Sequence, residues 1–138
     1  MKYDYFVSGK WRNRDNVRSL AEKIRNSGKT AYCFFDAKHN QDRLEEDPHE
    51  SMQKFEATPN WRNNSYVKHV YESDMNGLRE SEVFIMLLPA GRSCHIEAGT
   101  AFGMGKKCIL IGEQKEAESL YLIFDTVFPT IDDFISIL

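Results

Sequence analysis

The chain has 138 residues, 28% charged and 41% hydrophobic, with a formal net charge of -3; this is the composition of one globular domain large enough to bury a core. The acidic balance excludes non-specific binding to a nucleic-acid polymer, which leans on a basic face, but leaves local cation clusters free to hold small anions. Cys33, Cys94 and Cys108 are an odd number without a CxxC pair, which argues against a disulfide framework or structural zinc and for a reducing compartment.

Tyr3 to Ser8 reads as a first strand, and the chain enters it directly from Met1 without a secretory signal. Asn13 to Asn26 carries Val17, Leu20, Ala21 and Ile24 at helical spacing, and Gly28 closes that helix. Thr30 to Asp36, short and aromatic, is the second strand. Ala37 to Asn64 turns polar and aperiodic, with Pro48 and Pro59; it reads as a long active-site flap with a helical piece around His49 to Ala57.

Tyr66 to Glu80 places Val67, Val70, Tyr71, Met75 and Leu78 on one face of a second main helix. Val83 to Leu88 is a continuous apolar run, the mark of a strand buried on both faces. Ser93 to Gly105 is a third helix and Cys108 to Ile111 the next strand. Lys115 to Leu122 reads as a further helix, Leu122 to Thr126 as a short edge strand, and Thr130 to Leu138 as a terminal helix capped by Thr130. Strands alternating with helices define a single α/β domain over residues 1–138. The expected architecture is a Rossmann-like or flavodoxin-like sandwich around a central, mostly parallel five-stranded sheet. No apolar run approaches the roughly 20 residues needed to span a bilayer, so a cytoplasmic protein without a membrane partner is expected.

Glu97 stands in the first turns of the third helix, just beyond the carboxyl end of the Val83 strand, where open α/β sheets bind ligands. On pattern alone an acid there is accounted for by the helix dipole, a gain of about 0.3–1 kcal/mol. Its neighbours Ala98, Gly99, Ala101, Gly103 and Gly105 point to more, because glycine costs about 1 kcal/mol against alanine inside a helix and close approach of a ligand or strand is the usual reason for it. The preceding Gly91-Arg92-Ser93 is placed to hold an anion at a helix N-terminus.

The loop Ser8-Gly9-Lys10-Trp11-Arg12-Asn13-Arg14 follows the first strand where mononucleotide-binding folds seat a phosphate or sugar, although it is neither GxGxxG nor a P-loop. Trp11 either stacks on a base or covers the sheet edge. Asp74 by itself reads as a polar helix face. Four scattered histidines lack any ligand spacing, so a metal site is not expected. Cys94 and His95 diverge by roughly 100° on a helix and cannot act as nucleophile and base.

Taken in order, these segments resemble the nucleoside 2-deoxyribosyltransferase-like family, which includes nucleoside 5′-monophosphate N-glycosidases. Tyr5-Phe6-Val7-Ser8-Gly9-Lys10-Trp11 is similar to its first strand and loop, Tyr71-Glu72-Ser73-Asp74-Met75-Asn76-Gly77-Leu78 to its Asp and Asn-Gly helix, and Ile96-Glu97-Ala98-Gly99-Thr100-Ala101 with Gly105-Lys106 to its E-x-G-x-A…GK. The resemblance implies cleavage of the N-glycosidic bond of a nucleoside or its 5′-monophosphate through a covalent glycosyl-glutamate, finished by water or by a second base. Glu97 would be the nucleophile, Tyr5 its hydrogen-bonding partner, and Asp74 the group that binds and protonates the base. Ser8, Gly9, Lys10, Trp11, Arg12, Gly91, Arg92, Ser93 and His95 would bind substrate.

The resemblance implies no cofactor and a homodimer or larger homo-oligomer, for which Phe124, Phe128 and Phe134 are candidate interface aromatics or ordinary core. One departure matters. The deoxyribosyltransferases carry an acid six positions before the glutamate, for the sugar 5′-hydroxyl, and that position here is Gly91. The loop therefore favours a phosphorylated substrate. Two other readings share these features: a TIR-like NAD glycohydrolase, and a nucleotide-binding sensor without turnover.

Overall fold

A computed structural model describes residues 1–138. Its centre is one wholly parallel sheet in the order β2-β1-β3-β4-β5, built from β1 (Tyr3–Ser8), β2 (Ala31–Cys33), β3 (Ser81–Leu87), β4 (Lys107–Ile111) and β5 (Thr126–Phe128). Five helices accompany it: α1 (Arg14–Asn26), α2 (Pro48–Glu56), α3 (Ser65–Arg79), α4 (Arg92–Gly103) and α5 (Ile131–Ile135). This is the α/β, flavodoxin-like sandwich expected from the alternation of strand and helix patterns.

The pleat sorts the strand residues onto two cores. On one face Val7, Ile85, Ile109 and Ile111 meet Val17, Leu20 and Ile24 of α1 and Phe134 of α5. On the other, Phe6, Phe84, Met86 and Leu110 meet Leu78 of α3 and Ala98 and Ala101 of α4. Gly9 is required where α1 crosses the end of β1, because a Cβ there would stand 2.3 Å from Val17 Cγ2. Phe134 and Phe124 are core residues, and Phe128 packs edge-on against Phe134 with ring centroids 5.5 Å apart.

The chain runs outward from β1 to β2, then crosses back to lay β3 on the other side of β1, with Ser8 level with Met86. The order reverses there, leaving a crevice outside the carboxyl ends of β1 and β3. The segment from 37 to 64 arches over that crevice. It contains a 3₁₀ turn at Lys38–Arg43, then α2, then a second 3₁₀ turn at Trp61–Asn63. Asp47 starts α2 by accepting from the backbone N–H groups of His49 and Glu50, ahead of Pro48 in the first helical position.

Three elements differ from expectation, each for a local reason. The second strand ends at Cys33 because Phe34–Asp36 winds into a 3₁₀ turn, whose Phe34 and Phe35 carbonyls accept from the Asn40 and Gln41 side chains. Lys115 to Leu122 forms no α-helix; a 3₁₀ turn at Ser119–Ile123 begins where the Glu118 carboxylate accepts from Leu120 N–H. The last strand starts later, at Thr126, because Asp125 turns the chain by pairing its side chain and backbone with Cys108. All three cysteines are buried free thiols, and no helix is long and apolar enough to cross a membrane.

Candidate active site

The crevice holds a cavity of about 750 Å³, floored by Gly9, Gly91, Cys94 and Glu97, walled by α3, and roofed by the 37–64 segment. Glu97 projects from the second turn of α4 back toward β1, where Ser8 Oγ donates to its Oε1 at 2.7 Å. Ser8 is fully buried at the last position of its strand, so this hydroxyl is fixed by the sheet itself.

Asp74 enters from α3 and accepts from the Tyr32 hydroxyl at 3.0 Å through Oδ1. Tyr32 is held by stacking on Phe6, with centroids 5.0 Å apart and planes 16° from parallel. Gly77 leaves the space this ring fills: a Cβ there would lie 2.7 Å from Tyr32 Cδ2 and Cε2. The glycine inside α3 is therefore a packing requirement of the tyrosine that meets Asp74.

Both carboxyls hold their protons unusually well. Burial, then the neighbouring charge of Asp74, pushes Glu97 up to about 8, while the Ser8 bond opposes the rise. Burial pushes Asp74 up to about 6 against the opposing bond from Tyr32. Near neutrality the pair holds a single proton, mainly on Glu97, and the form with Glu97 ionised and Asp74 protonated, which can attack and donate, is the minor one. Such a pair, one group able to attack and one able to donate, is the equipment of acid-assisted nucleophilic displacement.

Cations rim the same cavity. Lys10, Arg12 and Arg92 line it together with Ser93. No side chain caps the N-terminus of α4, so its first N–H groups open onto the space where Gly91, Arg92 and Ser93 stand. Glu56 at the end of α2 reaches both arginines, with Arg12 Nη2 to Oε1 at 3.0 Å and Arg92 Nη2 to Oε2 at 3.4 Å. Arg12 Nε also donates to His49 Nδ1 at 2.9 Å, tying the roof to the first loop.

Of the residues singled out in the sequence, Glu97, Asp74, Gly9, Lys10, Trp11, Arg12, Gly91, Arg92 and Ser93 line this cavity. Ser8 lies just beneath it and meets Glu97 instead of the open space. Tyr5 and His95 are not brought in. Tyr5 shares the strand face of Val7, opposite Ser8, and its ring sits edge-on to Phe134 at 5.6 Å; its place as the partner of Glu97 is taken by Ser8. His95 points away from Glu97 along α4, bonded to Gly91 O at 2.7 Å and Tyr121 Oη at 2.8 Å.

Sequence reasoning missed Tyr32 and Arg43. Arg43 lines the cavity with its guanidinium carbon 4.5 Å from the centroid of Trp11, bonded to Ser51 and to the Tyr66 hydroxyl. It sits in the aperiodic stretch, where no pattern marks it. Tyr32 carried an indirect signal, since a glycine in the middle of a helix implies that something lies close to it. The glycines of α4 do not follow that rule: Gly99 and Gly103 face open space, and the small side chains against the sheet are Ala98 and Ala101. No group of three or more His, Cys, Asp or Glu side chains is placed to hold a metal ion.

The fold is that of a doubly wound α/β domain with its crevice at the β1/β3 crossover. No family model matches the sequence, and no curated protein matches it. Solved structures do. A 2-deoxyribosyltransferase of the psychrotolerant bacterium Bacillus psychrosaccharolyticus superimposes with a TM-score of 0.62 at 13% identity, covering 95% of this chain and 88% of its own. A CMP N-glycosidase of Clostridium botulinum superimposes with a TM-score of 0.53 at 15% identity, covering 96% and 94%. Both likenesses run through nearly the whole domain.

Proposed function

We propose that the chain is a nucleoside 2-deoxyribosyltransferase-like enzyme that breaks the N-glycosidic bond of a (deoxy)nucleoside 5′-monophosphate. The observation that carries this reading is the arrangement of Glu97 and Asp74 on one cavity, each carboxyl held by its own hydroxyl. The cation rim and the uncapped start of α4 favour a phosphorylated substrate over a free nucleoside. Structural likeness to a 2-deoxyribosyltransferase and to a CMP N-glycosidase agrees with both halves of the reading.

In this mechanism ionised Glu97 attacks the anomeric carbon, forming a C1′–O bond while the C1′–N bond breaks. The departing base takes the bond's electron pair together with a proton from Asp74. Ser8 steadies the carboxylate charge before attack. Water, giving a proton back to Asp74, then displaces Glu97 from C1′; a second base in place of water completes a transfer. Arg12, Lys10, Ser93 and the α4 N–H groups hold the 5′ phosphate, and Trp11 with the α3 wall encloses the rest.

The test is a chromatographic screen for free base over ribo- and deoxynucleosides, their 5′-monophosphates and NAD, with and without an added second base. Base release from a monophosphate is expected, and Glu97→Gln should reduce it by about three orders of magnitude or more. Equal release by wild type and Glu97→Gln, or release of nicotinamide from NAD alone, would refute the assignment.

A further inference from the structure

We propose that Tyr32 is a positioning residue for the acid step: its hydroxyl occupies Oδ1 of Asp74, so that the transferable proton is confined to Oδ2. The inference rests on the N-glycosidase reading and deepens it. It stands on contacts that reach Tyr32 from two elements, α3 and β1. The hydroxyl donates to Oδ1 at 3.0 Å, which leaves that oxygen an acceptor only. The ring is fixed between Phe6, stacked at 5.0 Å, and Tyr3, edge-on at 5.6 Å, so the hydroxyl cannot swing away. Asp74 and Gly77 lie three residues apart on one face of α3, where the carboxylate receives the hydroxyl and the missing Cβ admits the ring.

The titratable groups around this contact are Tyr32 on β2, Tyr3 behind it on β1 and Glu97 on α4. Burial raises the Tyr32 hydroxyl far above its ordinary value, with Asp74 adding to the rise, so the phenol remains a donor throughout the working range. An aspartic acid free to carry its proton on either oxygen would present the wrong one part of the time. Tyr32 removes that choice.

The experiment compares Tyr32→Phe, Gly77→Ala and the double variant by pH profiles of base release, and by ¹³C NMR titration of the Asp74 carboxyl, which needs no substrate. Because the Tyr32 bond favours ionised Asp74, its loss should move the Asp74 titration and the acid limb of kcat upward by roughly one pH unit. Tyr32→Phe should hold KM within about twofold, so that the change is read in kcat and its pH limb and not in binding. Gly77→Ala keeps the hydroxyl but displaces the ring, and should move the titration in the same direction; the double variant should move it no further than Tyr32→Phe does.

A loss of thermal stability with the Asp74 titration unmoved would overturn the inference, leaving Tyr32 as packing only. An upward titration in a protein that releases no base from any substrate would uphold the contact and sink the glycosidase reading instead. Base release intact with an unmoved titration would do the reverse.

Discussion

Ser8→Ala tests the centre of the site with the smallest change. The hydroxyl donates to Glu97 Oε1 at 2.7 Å from a fully buried strand position, so alanine removes one charge-assisted bond and adds nothing. Such a bond contributes about 1.5–3 kcal/mol, all of it in favour of the ionised carboxylate. At 1.36 kcal/mol per pH unit, its loss moves Glu97 upward by about one to two pH units from a value already near 8. Between about 6 and 8 the pair holds one proton, and attack needs that proton on Asp74. The population with Glu97 ionised therefore falls by about tenfold to a hundredfold in the variant, and kcat/KM across the plateau falls with it. The assay is the pH profile of base release. A loss of this size with the alkaline limb displaced upward is the expected result. A profile within twofold of wild type, or an alkaline limb that stays near 8, would refute the role of Ser8 and with it the account of how Glu97 is held.

Other expectations follow from the same geometry. The Glu97 carboxyl is held above its ordinary value near 4.5, so its contribution to stability is present below that value and is lost as pH rises through about 8. Glu97→Gln should thus match wild type in Tm near pH 5 and exceed it near pH 9, and the opposite order would remove burial as the cause. Gly9→Ala drives a methyl to 2.3 Å from Val17 Cγ2 and should lower stability by about 1–3 kcal/mol in denaturant titration, with unchanged stability contradicting the close approach of α1. Glu56 holds the two arginines that a phosphate would meet, through partly exposed pairs worth at most about 1 kcal/mol each. Glu56→Gln should therefore lower KM for a 5′-monophosphate by a few fold and leave that for the nucleoside unchanged; equal effects on both would place the phosphate elsewhere.

The sheet and its main helices were legible because they are periodic. Val17, Leu20, Ala21 and Ile24 recur at helical spacing and are the buried residues of α1, and the unbroken apolar run of β3 is buried at the centre of the sheet. The ends were less so. The second strand ends before its composition suggests: Tyr32-Cys33-Phe34-Phe35 has strand composition, whereas the side chains that claim the Phe34 and Phe35 carbonyls, Asn40 and Gln41, come from a stretch without pattern. The roof of the cavity has the same history. Its length and its polar, aperiodic composition with Pro48 and Pro59 read as a flap, but Arg43, Phe55 and Glu56 reach the site through tertiary contacts that no local spacing encodes.

Tyr5 and Ser8 show where the limit falls inside a correctly read element. The strand was placed to the residue, and the loop after it lines the cavity. Yet successive strand side chains point to opposite faces, so an odd offset decides which of two neighbours can touch a helix on a given side. Val7 and Tyr5 pack toward α1 and α5, and Phe6 and Ser8 toward α3 and α4. Since Glu97 sits on α4, only the even positions of β1 can reach it. Ser8 is the even position that carries a donor at the carboxyl end of the strand. A tyrosine at position 5 can support the site only through the packing of α5 against the sheet. Its replacement by phenylalanine, which keeps the edge-on contact with Phe134, is accordingly expected to leave the pH profile unchanged where Ser8→Ala displaces it. A displaced alkaline limb in Tyr5→Phe would mean that the parity argument fails and that the phenol reaches Glu97 after all.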